Sequence, residues 1–529
     1  MGTNYLEQYI AKAPAAQDFF ELSFLNSADR SKAVKRATQR NMMPALIDEI
    51  ARQNALAPAE VQTNIEHLRQ GNVAVVATGQ QLGFLGGPLL TMYKILGAIK
   101  TAQALAEETG VVTVPVFWMQ SEDHDFEEIR EMGYYTADGS YSSVGYSGEP
   151  VGLGDSVGPI EINPDSVAVV ENFLEEQHPT TREFWNDLCA GYLKGESLSA
   201  AFGHYLRSVF GSYGLVVFDP NVQVVKELYK DFIASSIVRS GGIGRVLGDR
   251  SAELESRGFD IQVHVREDSP LFFVSNGKVR ERLVEIDGVW QSKQQRYSKG
   301  ELLELLDNHP ERFTTSALIR PVLQDRMFPT AAFVTGPSEF NYWVQLKPLY
   351  EFFNVEQPLV IPRPSFCIVA AAQERSMRDS QIRYSDLSLS TIEFLSRRMA
   401  GSSAEAATTE ATTLFSSVRK SIEAEFGRAA ASLAKLDPNL VQGAEKTRSS
   451  IERNLEKFEG RVTKAWGQRH PELVHLFETV RDYAFPGGVP QERCVGSLDM
   501  LLKFGINLPQ SLLAEIEPFG VKGTQVIAY

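Results

Sequence analysis

Two apolar runs, separated by a glycine-rich turn and a helix-like segment, constrain the fold of this chain most strongly. The runs cover residues 73–77 and 114–119, and each stops abruptly at a cluster of polar residues. Strands that are buried on both faces of a parallel sheet have such uninterrupted apolar sequences. A strand, a turn, a helix and a second strand form a βαβ unit, in which ligands bind at the carboxyl ends of the strands. The sequence therefore predicts an α/β fold with both polar clusters facing one crevice.

Further apolar runs of strand length indicate that the sheet continues beyond this unit. They lie at 214–219, 261–265, 271–274, 331–335 and 358–361. The segments at about 133–210 and 240–312 break the pattern, the first of them beginning with a stretch rich in Gly, Ser and Tyr, and we predict that both are insertions. The chain is therefore expected to begin with a helical lead-in at 1–70, followed by an α/β core at 71–371.

A different periodicity follows the core. Apolar residues recur every three or four positions across 415–436, and the pattern resumes across 444–465 after an Asp-Pro-Asn turn at 437–439. This pattern predicts an antiparallel coiled-coil hairpin within residues 372–485. A long two-helix arm exposes more apolar surface than it can bury alone, which favours a dimerisation element. The alternative is a strut that packs on its parent domain. Residues 486–529 are expected to pack back on the core.

Composition excludes several classes of protein. A chain of 529 residues is too long for one core. The net charge of −15 argues against a broad nucleic-acid-binding face. Cys189, Cys367 and Cys494 are far apart in the sequence, so neither a disulfide framework nor a cysteine-based zinc site is expected. No apolar run approaches the roughly 20 residues that span a bilayer, and the amino terminus lacks a signal-peptide pattern. We therefore predict a cytoplasmic protein.

The turn after the first strand is a candidate anion site. Its four glycines are Gly79, Gly83, Gly86 and Gly87. They would let a ligand approach backbone N–H groups at the start of the next helix, where Lys94 is available to anions. The alternative is that they only permit tight packing, since the turn matches neither the P-loop nor the dinucleotide fingerprint. Gln80 and Gln81 offer amide donors and acceptors to uncharged substrate groups, or else cap loop carbonyls.

Four ionisable residues follow the second strand without interruption. They are Glu122, Asp123, His124 and Asp125. Carboxylates this close are expected to raise one another's pKa, and the histidine adds a group that titrates near neutral pH. The cluster therefore predicts an acid–base site, with Asp123 and His124 as its first candidates. The alternative is helix capping before the segment FEEI, because acidic residues stabilise the amino end of a helix.

A similar arrangement surrounds the predicted strand at 331–335. Polar residues follow that strand, others precede it, and an arginine follows the apolar run at 358–361. A guanidinium at that place would bind a carboxylate or phosphate with two hydrogen bonds. The alternatives are N-capping by the serine and a core position for either Tyr342 or Trp343. The predicted substrate-binding residues of this region are Arg320, Gln324, Ser338, Glu339, Tyr342 and Arg363.

Four segments together carry a resemblance to a known family. They read TGQQLGFLGGPLLTMYK, VPVFWMQSEDHDFEEI, RPVLQDRMFPTAAFVTGPSEFNYW and IPRPSF. The chain that contains them resembles the bacillithiol synthases, the cysteine ligases of bacillithiol biosynthesis, over about residues 71–370. It has Leu82 where that family usually has Pro, and the order Phe84-Leu85 is reversed. Neither change removes a polar group.

The resemblance implies a Rossmann-like core related to nucleotidylyltransferases and class I aminoacyl-tRNA synthetases, with connecting insertions and a coiled coil that forms a homodimer. It also implies an enzyme that joins L-cysteine to the amine of glucosaminyl malate, yielding bacillithiol. ATP or another adenine nucleotide, with Mg²⁺, is associated with this fold, and no tightly bound metal is expected. A KMSKS-type loop is not visible. Nucleic acid and membrane partners are not expected.

These implications give the candidate residues roles. Adenylation would place a phosphate over the glycine-rich turn. His124, oriented by Asp123 or Asp125, would take the proton of the attacking amine, and Arg320 and Arg363 would bind the carboxylates of malate. Two other functions stay open, a nucleotidylyltransferase acting on another small acceptor and a non-catalytic dimeric scaffold. The dense ionisable cluster argues against the scaffold, because such a cluster destabilises a protein in which it has no role.

Overall fold

A computed structural model describes residues 5–150, 156–177, 182–264, 271–277, 279–292, 294–401 and 406–529. The chain forms two compact units. The first contains Met1–Ser365 and Glu492–Gly523, and the second contains Phe366–Gln491 and Thr524–Tyr529. No helix of the described ranges combines the length and the apolar character that crossing a bilayer requires.

The strands, in chain order, are β1 (Ala74–Gln80), β2 (Thr113–Met119), β3 (Glu131–Tyr135), β4 (Tyr141–Gly145), β5 (Val216–Phe218), β6 (Phe272–Ser275), β7 (Arg280–Arg282), β8 (Val284–Ile286), β9 (Val289–Gln291), β10 (Arg296–Ser298), β11 (Phe313–Thr315), β12 (Thr330–Thr335), β13 (Leu359–Pro362), β14 (Phe366–Val369) and β15 (Gln525–Ala528).

The α-helices are α1 (Tyr5–Ile10), α2 (Ser27–Thr38), α3 (Pro44–Gln53), α4 (Ala59–Gln70), α5 (Leu89–Thr109), α6 (Phe126–Ile129), α7 (Pro164–Gln177), α8 (Arg182–Leu188), α9 (Ala190–Leu193), α10 (Leu198–Phe210), α11 (Gln223–Val238), α12 (Ser240–Ser256), α13 (Lys299–Asn308), α14 (Arg320–Met327), α15 (Pro337–Trp343), α16 (Lys347–Phe353), α17 (Ala371–Asp379), α18 (Thr391–Gly401), α19 (Ala406–Leu433), α20 (Pro438–Gly467), α21 (Pro471–Ala484), α22 (Gln491–Cys494), α23 (Ser497–Phe504) and α24 (Leu508–Glu515).

A five-stranded sheet with the order β13-β12-β1-β2-β5 forms the centre of the first unit. All four strand pairs are parallel, which confirms the predicted parallel core. Helix α5 packs against β1 and β2, and α2 packs against β12. Every residue of β2 is buried because helices cover the sheet. Since the strands are parallel, the residues that follow β1, β2, β12 and β13 meet at one edge of the sheet.

The predicted strands at 214–219, 331–335 and 358–361 are confirmed as members of this sheet. The run at 271–274 is also a strand, but it belongs to a separate antiparallel sheet, β11-β6-β7. The strand predicted at 261–265 is wrong for residues 261–264, and residue 265 lies outside the described ranges. The side-chain amide of Gln345 binds both the N–H and the carbonyl of Val263, at 3.3 and 3.0 Å, in place of a neighbouring strand.

Both segments predicted to be insertions contain antiparallel strands. The first includes the β3–β4 hairpin and helices α7–α10, and the second includes β6–β10 with helices α12 and α13. Their strands are three to five residues long and lie outside the central sheet. The second segment matters for the site below, because β7 begins with an arginine.

The second unit contains the predicted helical hairpin, formed by α19 and α20. The Asp437 side chain caps α20 by accepting a hydrogen bond from the Asn439 N–H (2.9 Å), as expected for an Asp-Pro-Asn turn. The rings of Phe415 and Phe458 meet across the hairpin with centroids 5.7 Å apart. Nevertheless Phe458 is 50% exposed and Leu436 is 79% exposed. The hairpin therefore leaves part of its apolar surface uncovered in the single chain.

Candidate active site

A cavity of about 510 Å³ lies at the carboxyl ends of β1, β2, β12 and β13, within the first unit. Its volume is in the range of roughly 300–1,000 Å³ that is usual for small-molecule sites. The predicted residues that line it are Gln80, Gln81, Lys94, Glu122, Asp123, Arg320, Ser338, Glu339, Tyr342 and Arg363. The predicted residues outside its lining are Gly79, Gly83, Gly86, Gly87, His124, Asp125 and Gln324. The sequence therefore located the crevice, while some residue roles need revision.

Asp123 is held on one side of the cavity by a network of hydrogen bonds. Gln81 Nε2 donates to Asp123 Oδ2 (2.7 Å) and to Glu128 Oε2 (2.8 Å). The His124 backbone N–H donates to Asp123 Oδ1 (2.7 Å), and Arg280 Nη1 lies 3.9 Å from the same oxygen. Burial raises the pKa of Asp123, but these hydrogen bonds and the arginine charge outweigh burial and the net shift is downward. The predicted mutual raising of carboxyl pKa values is therefore wrong for Asp123, which is ionised at neutral pH.

His124 lies outside the cavity lining, next to Asp123, with its side chain 60% exposed. Its Nδ1 is 3.2 Å from Asp123 Oδ1 and 3.5 Å from Arg280 Nη1, so Asp123 is the carboxylate that orients the ring. Asp125 instead accepts a hydrogen bond from the Glu128 N–H (3.2 Å) and caps α6. The capping alternative therefore accounts for Asp125, because its carboxylate is directed to the helix end.

Glu122 is paired with a lysine that is distant in sequence. Lys226 Nζ, on α11, forms an ion pair with Glu122 Oε1 and donates to the Phe313 carbonyl (3.1 Å). Tyr229, one turn further along α11, donates its hydroxyl to the same Glu122 oxygen (3.0 Å). Burial, and then the Glu122 charge, raise the pKa of Tyr229 well above its usual value. Glu122 is therefore a charge-compensated carboxylate in the wall of the cavity.

Lys94 is fully engaged by acceptors of the protein. Its Nζ lies 3.0 Å from the Gly79 carbonyl, 2.7 Å from Gln80 Oε1 and 2.5 Å from Glu339 Oε2. An ammonium has three N–H donors, so these acceptors use all of them. Burial lowers the pKa of Lys94, whereas the Lys94 charge outweighs burial at Glu339 and lowers the pKa of that carboxyl. An anion that bound Lys94 would displace one of its partners.

The glycine-rich turn is packed against protein. A Cβ on Gly83 would lie 2.2 Å from Gly87 Cα, and a Cβ on Gly86 would lie 2.1 Å from the Tyr205 ring. Gly86 also has a φ of +88°, a conformation that favours glycine. The N–H groups of Gly86 and Gly87 donate to carbonyls of the same turn, at 3.2 and 3.1 Å. The packing alternative therefore accounts for these glycines, and the turn does not fit a phosphate.

Arg363 lines the other side of the cavity and is bound by a carboxylate. Its two terminal nitrogens lie 2.7 and 2.6 Å from the oxygens of Glu492, and Ser365 Oγ donates to Glu492 as well (2.7 Å). The Arg363 Nε is buried without a hydrogen-bond partner among the described residues. Because Glu492 is 129 positions away in the sequence, nothing local indicated this pair.

Arg320 is the first residue of α14 and is also buried in the lining. Its Nη1 donates to Gln324 Oε1 (3.3 Å), and within the described ranges it forms no ion pair. Gln324 is completely buried below it and donates to Asp325 Oδ1 (3.0 Å). Gln324 therefore supports Arg320 and is not itself part of the cavity surface.

The residues that follow β12 lie where the sequence predicted, but Glu339 takes the capping role that was considered for Ser338. The Gly336 N–H donates to Glu339 Oε2 (2.7 Å), so Glu339 rather than Ser338 satisfies the start of α15. Trp343 is the core residue of the aromatic pair, with its ring stacked on Phe333 at 4.8 Å. Tyr342 faces the cavity, and burial raises its pKa.

Arg280 also lines the cavity, and the sequence did not indicate it. It comes from β7, and its side chain is only 8% exposed. Its Nε donates to Thr314 Oγ1 (2.8 Å) and its Nη2 donates to the Thr315 carbonyl (2.7 Å). The local sequence VRER shows only a strand with charged residues, so tertiary structure alone places this arginine in the site. Across the described ranges, no group of three or more His, Cys, Asp or Glu residues is arranged to hold a metal ion.

Comparison with known proteins agrees with this architecture. Residues 2–364 match the family model of the bacillithiol biosynthesis BshC N-terminal Rossmann-like domain, and residues 366–527 match that of the BshC C-terminal coiled-coil domain. The chain is 29% identical to the "Putative cysteine ligase BshC" of Chloroherpeton thalassium, over 96% of this chain and 92% of that protein. It is 27% identical to the protein of the same name from Koribacter versatilis, over 97% of this chain and 95% of that protein. The chain therefore belongs to the BshC family of bacillithiol biosynthesis.

Proposed function

We propose that this protein forms the amide bond between the carboxyl group of L-cysteine and the amine of glucosaminyl malate, producing bacillithiol. The family and the name of its relatives support a cysteine ligase. The observation that carries the proposal is that carboxylates and buried guanidinium groups line the same cavity. Glu122 and Asp123 follow β2, Arg320 and Arg363 lie near β12 and β13, and Glu339 and Arg280 add a charge of the opposite sign on each side. Such a site suits a substrate that bears an amine together with carboxylates.

The amine of glucosaminyl malate must lose a proton before it attacks. His124 is the proposed base, because Asp123 holds its Nδ1 and leaves Nε2 to accept the proton. The ionised Asp123 would also stabilise the imidazolium that forms. Gln80, Gln81, Ser338 and the Tyr342 hydroxyl would bind the hydroxyl groups of the sugar.

A carboxylate needs an activating group before it forms an amide. ATP or another adenine nucleotide, with Mg²⁺, stays a prediction and would supply a phosphate leaving group. The glycine-rich turn does not fit that phosphate, since its N–H groups bind carbonyls of the same turn. No step of the proposal is therefore assigned to Gly79, Gly83, Gly86, Gly87 or Lys94.

We also propose that the hairpin of α19 and α20 forms a homodimer. The exposed apolar residues Phe458, Leu436 and Leu440 support this assembly, because a second copy would cover them. A cytoplasmic location stays a prediction that rests on the three scattered cysteines.

The reaction is tested by mass spectrometry of the purified protein with L-cysteine, glucosaminyl malate and ATP, each omitted in turn. Bacillithiol is expected only when both substrates are present, and the omission of ATP decides whether the nucleotide is used. His124→Asn is expected to lower the rate by about 10²–10⁴-fold. It should leave the unfolding midpoint unchanged, because the ring is mostly exposed. Pyrophosphate release that needs no cysteine would contradict the ligase and favour a nucleotidylyltransferase.

A further inference from the structure

One wall of the cavity contains buried hydroxyl groups that no described residue of the protein binds. Thr315, Ser316 and Ala317 form this wall, between the end of β11 and the start of α14. Thr315 Oγ1 and Ser316 Oγ are buried, and neither has a hydrogen-bond partner among the described residues. Buried hydroxyl groups are almost always paired in native proteins. Two unpaired ones side by side in a cavity wall indicate a ligand with several hydrogen-bond acceptors.

Two guanidinium groups border the same wall. Arg320 follows it at the start of α14, is buried, and forms no ion pair with any described residue. Arg280 reaches the wall from β7, and the oxygens of Thr314 and Thr315 fix its orientation at 2.8 and 2.7 Å. Because both arginines are held by the fold itself, they would lose little side-chain freedom when an anion binds.

Arg363, Lys94 and Arg493 also line the cavity, but Arg493 is exposed to solvent and the other two are already paired. Arg363 is already bound through both terminal nitrogens by Glu492, and Lys94 is paired with Glu339. A carboxylate arriving there would have to displace an existing partner of the same charge. Arg320, which has no carboxylate partner among the described residues, is therefore the favoured cation for an added anion, and Arg280, whose Nη1 lies 3.9 Å from Asp123 Oδ1, borders the same wall.

We propose that this wall binds the dicarboxylate part of the acceptor substrate, the malate group. Arg320 and Arg280 bind its two carboxylates, and the hydroxyl groups of Thr315 and Ser316 donate to the remaining oxygens. The proposal rests on the proposed function, since it takes glucosaminyl malate as the acceptor. It moves the malate from Arg363 to Arg280 and makes the inserted strand β7 a determinant of substrate specificity.

The test is isothermal titration calorimetry of L-malate with the full-length protein, and L-lactate provides the monocarboxylate comparison. Arg280→Gln and Arg320→Gln are each expected to weaken malate binding by about tenfold or more, the usual effect of losing a charge-assisted hydrogen bond. Arg282→Gln is the matched control, since Arg282 lies on the same strand, is exposed and does not line the cavity. Arg363→Gln is expected to have a smaller effect than either. Arg280→Lys keeps the positive charge but lacks the planar guanidinium group. Circular dichroism checks that each variant is folded.

Several results would overturn the proposal. These are no binding of malate to the native protein at millimolar concentration, equal binding of lactate, or unchanged affinity in both Arg280→Gln and Arg320→Gln. The KM for glucosaminyl malate, measured in the ligation assay, separates this proposal from the proposed function. If product forms and the KM is unchanged in Arg280→Gln, the malate site is overturned and the ligase proposal is retained. If malate binding depends on Arg280 and Arg320 but no product forms, the malate site is retained and the ligase proposal is overturned.

Discussion

Replacing Lys226 with methionine should destabilise the first unit strongly. The Lys226 side chain is 1% exposed and its ammonium is the cation that pairs with Glu122 in the wall of the cavity. Methionine has a similar length without the charge, so Glu122 would stay partly buried beside an apolar group. Removal of one partner of a buried ion pair costs about 3–5 kcal/mol, a large part of the roughly 5–15 kcal/mol that stabilises a typical domain. The Phe313 carbonyl would lose a hydrogen bond as well.

The assay is urea unfolding followed by tryptophan fluorescence, since buried Trp118, Trp290 and Trp343 all lie in the first unit. With a slope of about 3 kcal/mol per molar urea, the midpoint should fall by about 1–2 M. The double variant Glu122→Gln with Lys226→Met should recover part of this loss, because no unpaired charge is then left behind.

Lys230→Met is the matched control for this experiment. Lys230 lies one turn further along α11 and pairs with Asp307 at 2.8 Å, but its side chain is 32% exposed. Exposed ion pairs contribute little to stability, so the midpoint should not change measurably. The reasoning is refuted if Lys226→Met unfolds at the same urea concentration as the native protein, or if the control is destabilised equally.

Three further predictions concern the turn, the acid cluster and the hairpin. Gly86→Ala should destabilise the protein by about 2–4 kcal/mol, from overpacking and a positive φ, because its Cβ would lie 2.1 Å from a tyrosine ring. Gly110 has a φ of +70° and nothing within 4 Å of an added Cβ, so Gly110→Ala should destabilise the protein less than Gly86→Ala. Equal urea midpoints for the two variants would contradict the packing argument. The pKa of Asp123 is below its ordinary value, so its contribution to stability is present above about pH 4 and is lost as the pH falls through the lowered pKa. The difference in free energy of unfolding between the native protein and Asp123→Asn should therefore decrease from pH 5 to pH 3. A difference that stays constant over this range would contradict the lowered pKa of Asp123. Phe458→Glu places a charge on the exposed hairpin surface, so the variant should sediment as a monomer and the native protein as a dimer. A native protein that sediments as a monomer would contradict the proposed dimer.

The sequence determined the central architecture because its signals are local. Seven consecutive buried positions in β2 follow from an apolar run with helices on both sides, and a period of three or four residues defines α19 and α20. The same rules failed at 261–264, where an apolar alternation predicted a strand. A single side chain, Gln345, took the place of the neighbouring strand there, and no local pattern encodes such a substitution.

The position of the cavity was also predictable, since parallel strands bring their carboxyl ends to one edge. The partners of its residues were not. Glu122 is matched by Lys226 and Arg363 by Glu492, at separations of 104 and 129 residues, and Arg280 enters from an insertion that looked unremarkable in sequence. Residue types and spacing therefore determined where the cavity lies. Only tertiary structure decided which of its charges are neutralised by partners, because ion pairing depends on distances between segments that sequence order does not specify.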